Sequence, residues 1–444
     1  MNVFERAARP FVVFVERFYP DAFVFAILLT LVTFAMTVGL ADETPAAAVE
    51  IWGLGLTGLL SFIAQIALTL ICAHAVAHTD LVGAALDRLA RLPRSAGQGY
   101  FLVAAVAGAG SLIAWSLGLV VGGLIALRVA RVARQRGVDM HYPLLVASAY
   151  GGFVVWHMGY SSSSALFVAT PGHTLEAVTG LIPVTETIFA PWNLALAAVT
   201  VLAVAGLCAA MGPARCRTYA GQADGPGGAR PAAVAETPGQ WLESRRSLSL
   251  VMGGVVLWFL WLWFAERGFS LTLDIVNWSF LGLGLVLARS PVHYVGLIAD
   301  ASRTVGPIVL QYPFYAGIMA LMTGTALVSI LSGFFVSVST PETLSFWAFL
   351  AAGALNFFIP SGGGQWAVQG PIFIDAAREL GVAYPHIVMA VAYGDQWTNL
   401  IQPFWTIPLL AVAGLNMRAI MGYCFVVFAA TGVLFGGTLL LLGA

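Results

Sequence analysis

The amino-acid sequence predicts an all-α polytopic membrane protein built from two inverted repeats, each with a re-entrant helical hairpin and a discontinuous helix. Three observations predict it. Apolar runs long enough to cross a bilayer recur along a chain whose mean hydropathy is +0.88. Arginine clusters alternate with acidic or neutral loops. A Gly-Val…Tyr-Pro…Ala-Tyr-Gly pattern occurs twice, each time after an apolar stretch interrupted by glycine.

Composition sets the class. Hydrophobic residues make up 59 % of the 444 and charged residues 9 %, against about 25 % charge in a soluble domain. Ala22–Leu40, Gly55–Ala77, Trp192–Met211 and Met421–Leu442 each approach or reach the roughly 20 residues that span a bilayer core. The lipid bilayer is therefore the expected solvent. A net charge of −1 points to no nucleic-acid partner. All 20 basic residues are arginine. Cys72, Cys208, Cys216 and Cys424 fall in predicted spans or a basic loop, so no disulfide framework is expected. The first apolar run is longer than a signal-peptide core of about 7–15 residues and reads as an uncleaved helix.

Arginine clusters belong in the cytoplasm. They lie at Arg6/Arg9/Arg17, Arg88/Arg91/Arg94, Arg128/Arg131/Arg134/Arg136, Arg215/Arg217/Arg230/Arg245/Arg246, Arg289/Arg303 and Arg418; only Arg267 and Arg378 fall outside. This places the N-terminus in the cytoplasm and the C-terminus outside. The first repeat covers 1–211: scaffold helices over 22–78, a cytoplasmic-side hairpin over 99–135 turning at Ser116-Leu117-Gly118, a broken helix over 143–188 and a helix over 189–211. Residues 212–247, rich in Gly, Pro, Ala and Arg, read as a flexible cytoplasmic linker. The second repeat covers 248–444: scaffold helices over 249–335 (spans near 249–265, 275–288 and 304–335), an outer-side hairpin over 343–378 interrupted at Pro360-Ser361-Gly362-Gly363-Gly364, a broken helix over 385–411 and a helix over 419–442.

Gly137-Val138 leads to Tyr142-Pro143 and Ala149-Tyr150-Gly151; Gly381-Val382 leads to Tyr384-Pro385 and Ala392-Tyr393-Gly394. The span near 249–265 shifts parity, so the two copies run in opposite senses. Inverted repeats with discontinuous helices are the architecture of secondary transporters, with the site at the midplane between repeats.

Four segments should converge there. They are the first hairpin tip (Trp115 to Gly118), the second (Asn356 to Trp366), the first break (Trp156 to Ser164) and the second (Gly394 to Asn399, followed by Gln402-Pro403). Irregular backbone at membrane depth lines a cavity or is buried in protein. Glycines allow close approach, and free helix N-termini attract an anion. The expected substrate-binding residues are Trp115, Gly118, Ser161, Ser162, Ser163, Ser361, Gly362, Gly363, Gly364, Gln365, Gln396 and Thr398. No arginine lies in these segments, which favours one carboxylate over two or three. Asp395 is an acid inside a span, where carboxylates mark ion or proton pathways. Asp395, Asn356, Asn399 and His157 are the candidate ion-coupling residues, with a Na+ site near Asn356, Ser361, Asp395 and Asn399 or a proton as the alternatives. No cofactor is expected.

Taken together, the motifs resemble the bacterial short-chain fatty acid transporter family, the acetoacetate and butyrate carriers. The resemblance rests on Tyr19-Pro20-Asp21, Gly118-Leu119-Val120-Val121-Gly122, Ala169-Thr170-Pro171-Gly172, Leu181-Ile182-Pro183-Val184 and Pro313-Phe314-Tyr315-Ala316-Gly317. It is strongest at Pro360-Ser361-Gly362-Gly363-Gly364, Gln369-Gly370-Pro371 and Ala392-Tyr393-Gly394-Asp395-Gln396-Trp397. It implies membership of the ion-transporter superfamily, a scaffold plus a mobile transport domain, an elevator motion, a homodimer, and symport of a short monocarboxylate across the cytoplasmic (inner) membrane. The Ser161–Ser164 run is less glycine-rich than the family pattern, which bears on tail length. A dicarboxylate or other anion carrier of the same superfamily is the alternative reading. The chain carries no H-E-x-x-H motif or paired carboxylates of a membrane-embedded hydrolase, so an enzyme is not expected.

Overall fold

The structure, a computed structural model, describes residues 17, 20–213, 216–219, 237–268, 272–302 and 305–443, and these contain helices and no strand. The first half forms α1 (Ala22–Leu40), α2 (Pro45–Gly55), α3 (Leu60–Ala77), α4 (Asp80–Ala90), α5 (Ala96–Ile113), α6 (Trp115–Gln135) and α7 (Tyr142–Gly152). A 3-10 turn (Phe153–Met158), α8 (Ser163–Val168), α9 (Glu176–Thr179) and α10 (Pro191–Ala210) complete it. The second half forms α11 (Pro238–Glu243), α12 (Arg246–Arg267), α13 (Leu273–Leu287), α14 (Pro291–Ser302), α15 (Gly306–Gly324), α16 (Leu327–Ser337), α17 (Leu344–Asn356), α18 (Gly362–Leu380), α19 (Tyr384–Asn399), α20 (Pro403–Ala413) and α21 (Met417–Gly443).

Helix starts follow local chemistry. Asp21, Thr44, Ser95, Thr272 and Ser361 each accept a first-turn amide at the head of α1, α2, α5, α13 and α18. Proline sits in the first turn of α7 and of α19, where its missing N–H costs nothing. Among the described residues seven helices (α1, α3, α5, α6, α10, α12, α21) are long and apolar enough to cross a bilayer, so the chain is a multi-pass membrane protein. The 22 residues of α12 extend about 33 Å at 1.5 Å per residue. Arg245 lies 3.8 Å over the Trp241 ring at one end and Arg267 3.9 Å over Trp263 at the other. Amphipathic rings and arginines at both ends suit the two membrane–water interfaces.

Burial separates shell from centre. Only Ser249, Gly253 and Leu260 of α12 are buried, whereas all eleven residues of α7 are. A helix apolar on every side belongs in the interior. Helices α1, α2 and α3 pack on α13, α14 and α15, while α5, α6 and α7 pack with α10, α20 and α21, and α19 packs on the 3-10 turn. Arg128 of α6 joins α3 and α4 to the second group. It donates to the Ala77 carbonyl at 2.9 Å, the Gly83 carbonyl at 3.1 Å and Asp87 at 2.7 Å.

The two motif copies adopt the same local structure. Gly137 (φ +70°) follows α6 and Gly381 (φ +73°) follows α18; α7 and α19 then open on Tyr-Pro. The two runs lie antiparallel, since Tyr150 bonds Asn399, His157 bonds Gln396 and Ser164 bonds Val388.

Several boundaries differ from the sequence expectation. The first hairpin turns at Ala114, in extended backbone (φ −153°, ψ 131°), and Ser116-Leu117-Gly118 already belongs to α6. Gly118 is small because α5 crosses there: a Cβ would stand 2.7 Å from the Ser111 amide nitrogen. The second break falls at Leu400–Gln402, so Asp395 lies within α19. The run 304–335 is divided into α15 and α16 at Thr325-Ala326, and the helix begun at Pro143 ends at Val168 except for the short turn α9. Glu50 lies in α2. Within the expected linker, 214–215 and 220–236 lie outside the described residues. Residues 216–219 are docked: Tyr142 N–H donates to the Arg217 carbonyl at 2.9 Å, and Arg217 N–H donates to His141 Nδ1 at 2.9 Å. All four cysteines are free thiols.

Candidate substrate and ion site

The chain breaks α7 where helix can no longer continue. The 3-10 turn ends at Met158, and Gly159 lies so close to the end of α5 that a Cβ would stand 2.0 Å from the Leu112 carbonyl oxygen. Tyr160 N–H donates to that carbonyl at 2.8 Å. Ser161 Oγ accepts from the Trp115 amide at 3.0 Å and donates to the Trp156 carbonyl at 3.3 Å. The first hairpin tip is thereby fastened to the first break.

The second tip meets the same break. Ser361 caps α18, accepting from Gly364 N–H at 3.3 Å. A Cβ on Gly362 would stand 2.4 Å from His157 Nε2 and 3.1 Å from Trp156 Cη2, and one on Gly363 would stand 3.8 Å from Ser163 Cβ. The N-terminus of α18, whose first amides have no partner within the helix, thus abuts His157.

His157 is 1 % exposed and faces α19. Its Nε2 stands 3.7 Å from Asp395 Oδ1, its backbone N–H donates to Gln396 Oε1 at 2.9 Å, and its Nδ1 lies 3.2 Å from Ser162 Oγ. Behind Asp395, Asn356 Nδ2 reaches the Asp395 carbonyl at 2.7 Å, Asn399 Oδ1 at 2.7 Å and Thr398 Oγ1 at 3.0 Å. Asn399 Nδ2 donates to Asp395 Oδ1 at 3.3 Å, and Gln402 Nε2 donates to Asn399 Oδ1 at 2.7 Å. Yet His157 Nε2, Asp395 Oδ2, Asn356 Oδ1, Gln396 Nε2 and Gln402 Oε1 are buried with no hydrogen-bond partner among the described residues. Each such group costs about 1–3 kcal/mol while it lacks a partner.

An aromatic wall adjoins these groups: Trp405 lies 4.9 Å from Trp115, 6.0 Å from Trp156 and 6.1 Å from Phe62, centroid to centroid. Trp156 of this wall lies against His157, their ring centroids 3.6 Å apart. The arrangement suits a small amphiphile with one acidic end.

The four predicted segments therefore meet: His157, Ser162 and Gln396 form one hydrogen-bonded group and Asp395, Asn356, Asn399 and Thr398 another, the two facing each other where His157 Nε2 stands 3.7 Å from Asp395 Oδ1, with Gly362 against His157. Ser361 and Gly364 cap α18, and Ser163 opens α8. Gln365 turns away, donating to the Ala352 carbonyl and to Gln369 Oε1, each at 2.9 Å. Gly118 serves the α5–α6 crossing and Trp115 the aromatic wall. Of the four expected Na+ ligands, Asn356, Asp395 and Asn399 come together, while Ser361 is bonded to Gly364. Sequence reasoning assigned no role to Asn193, whose Nδ2 donates to the Met158 carbonyl at 3.0 Å; no motif marks it.

Residues 3–442 match the family described as Short chain fatty acid transporter. The chain belongs to the short-chain fatty acid transporter family. A candidate short-chain fatty acid transporter of Escherichia coli (strain K12) is 38 % identical over 429 residues, covering 95 % of this chain and 96 % of its own. Another, of Haemophilus influenzae (strain ATCC 51907 / DSM 11121 / KW20 / Rd), is 35 % identical over 449 residues, covering 97 % and 98 %. Among solved structures, the YdaH transporter of Alcanivorax borkumensis aligns at 15 % identity over 96 % of this chain and 98 % of its own, with a TM-score of 0.43. MtrF of Neisseria gonorrhoeae, from a class of antimetabolite efflux pumps, aligns at 16 % identity over 99 % and 97 %, with a TM-score of 0.38. This short-chain fatty acid transporter family member is thus a transporter and not an enzyme.

Proposed function

We propose that the protein is a secondary active transporter of butyrate, acetoacetate and similar short monocarboxylates. It works in the bacterial cytoplasmic membrane as a homodimer, with its N-terminus inside and its C-terminus outside. One observation carries the substrate reading: the glycine-rich N-terminus of α18 abuts His157 and Trp156, beside an aromatic wall and with no arginine in the converging segments. The first amides of α18 hold the carboxylate, and Trp115, Trp156 and Trp405 bound the short tail.

Uptake of an anion opposes the membrane potential by about 2.3 kcal/mol per charge per 100 mV. At roughly −150 mV this is about 3.5 kcal/mol, a few hundred-fold against accumulation. A co-transported cation offsets it. Asp395, with Asn356, Asn399 and His157 around it, takes Na+ or H+. The two hairpins and the two antiparallel broken helices move as a transport unit against α1–α3 and α13–α15, an elevator.

The test is uptake of labelled butyrate into liposomes containing the purified protein, with excess acetoacetate or succinate as competitor. Saturable uptake blocked by acetoacetate and not by succinate is expected. Inhibition by succinate, or uptake no faster than in empty liposomes, rejects the monocarboxylate reading.

A further inference from the structure

Two tyrosines occupy equivalent places in the repeated Ala-Tyr-Gly motif, and each reaches the break in the opposite repeat. Tyr150 on α7 donates its hydroxyl to the carbonyl of Asn399, the last residue of α19 before the second break. Tyr393 on α19 donates to Asn193 Oδ1 at 2.6 Å, and Asn193 Nδ2 donates to the carbonyls of Met158 at 3.0 Å and Ile188 at 2.7 Å. Met158 is the last residue before the first break. Tyr150, Tyr393 and Asn193 are each 0 % exposed.

Where a helix breaks inside a membrane, the carbonyls it frees need partners, because no water is there to supply them. A tyrosine hydroxyl is rigidly placed by its ring and reaches further than serine or threonine, so it can satisfy a carbonyl on a neighbouring element. We infer that Tyr150 and Tyr393 are reciprocal positioning residues, each fixing the break of the other repeat so that His157 and Asp395 face one another. The antiparallel pairing of the two runs makes the reciprocity possible: the hydroxyl of one copy travels toward the break of the other. Neither tyrosine is among the residues proposed to hold the carboxylate. Loss of a hydroxyl lets one break shift, and with it the adjoining His157 or the Asp395–Asn399 turn. Substrate affinity then weakens while the translocation rate of bound substrate is kept.

The inference rests on the proposed butyrate transport, and the experiment separates the two. Initial uptake rates are measured for wild type, Tyr150→Phe, Tyr393→Phe, Asn193→Ala and Tyr393→Phe/Asn193→Ala, each normalised to folded protein by its thermal unfolding signal. Wild type that does not transport butyrate rejects the functional reading itself. With transport established, each Phe variant is expected to raise KM about 10-fold, as loss of one buried hydrogen bond does, with maximal rate within about 2-fold. The double variant should be no worse than its worse single parent, because both act in one chain of bonds. Unchanged KM, or a loss explained wholly by less folded protein, overturns the inference. Should Tyr150→Phe not fold, the Tyr393–Asn193 arm carries the same KM prediction alone.

Discussion

Gly362→Ala adds one methyl where the second hairpin tip meets His157. That methyl would stand 2.4 Å from His157 Nε2 and 2.6 Å from Cε1, whereas ordinary contact begins at 3.4 Å. The overlap with Nε2 is 3.4 − 2.4 = 1.0 Å. The ring has no room to retreat. It is 1 % exposed, its centroid lies 3.6 Å from that of Trp156, and its Nδ1 is 3.2 Å from Ser162 Oγ. Overpacking of this kind costs about 1–3 kcal/mol, a factor of about 5 to 150 in an equilibrium. Gly363→Ala is the control: its methyl meets nothing closer than Ser163 Cβ at 3.8 Å. Both substitutions gain the same helix propensity of about 1 kcal/mol, so their difference isolates the collision. The assay is thermal unfolding of both variants in detergent, with butyrate uptake for Gly362→Ala. The expected result is a lower midpoint for Gly362→Ala than for Gly363→Ala, together with impaired uptake. Equal midpoints with uptake intact in Gly362→Ala refute the placement of this tip on His157.

Asp395→Asn should abolish gradient-driven accumulation of butyrate while sparing its binding; accumulation at the wild-type level in loaded liposomes removes Asp395 from coupling. The docked 216–219 segment should be pH-sensitive through His141, which lies outside the spans. Burial, and then the charge of Arg217, lower its pKa from 6.5 to about 4. Undocked, the ring returns toward its ordinary value and binds a proton that the docked form excludes. Docking is therefore fully present above about 6.5 and is lost as pH falls toward about 4. Limited proteolysis should cut within 216–219 faster at pH 5 than at pH 8, and equal rates refute it.

Much of the site was legible because the chemistry that breaks a helix in a membrane needs particular residues. Gly159 and Gly362 are demanded by close approach, and Asp395 and His157 stand out against an apolar background. The turn of the first hairpin was misplaced to Gly118 because glycine has two uses, turning a chain and letting helices cross, and only packing tells them apart. The second break was expected at Gly394 for a similar reason: a Cβ there would stand 2.2 Å from the Phe349 carbonyl oxygen, so the glycine serves contact between α17 and α19. Gln365, polar and beside the tip, was expected at the substrate and instead bonds the Ala352 carbonyl of α17 and Gln369 one turn along α18.

What the sequence by itself determined was the membrane class, the duplicated motif and the four segments bearing polar chemistry. These depend on composition and on spacing along the chain, which are local properties. Only the tertiary structure decided that His157 faces Asp395 across two antiparallel broken helices, that the tip of α18 closes on both His157 and Trp156, and that Tyr150 and Tyr393 reach each other's breaks. These are contacts between residues up to 249 positions apart. Hydropathy carries no signal of them, because every α-helical arrangement that buries the same apolar faces satisfies it equally. Hydrogen bonding of the carbonyls freed at the breaks selects among those arrangements.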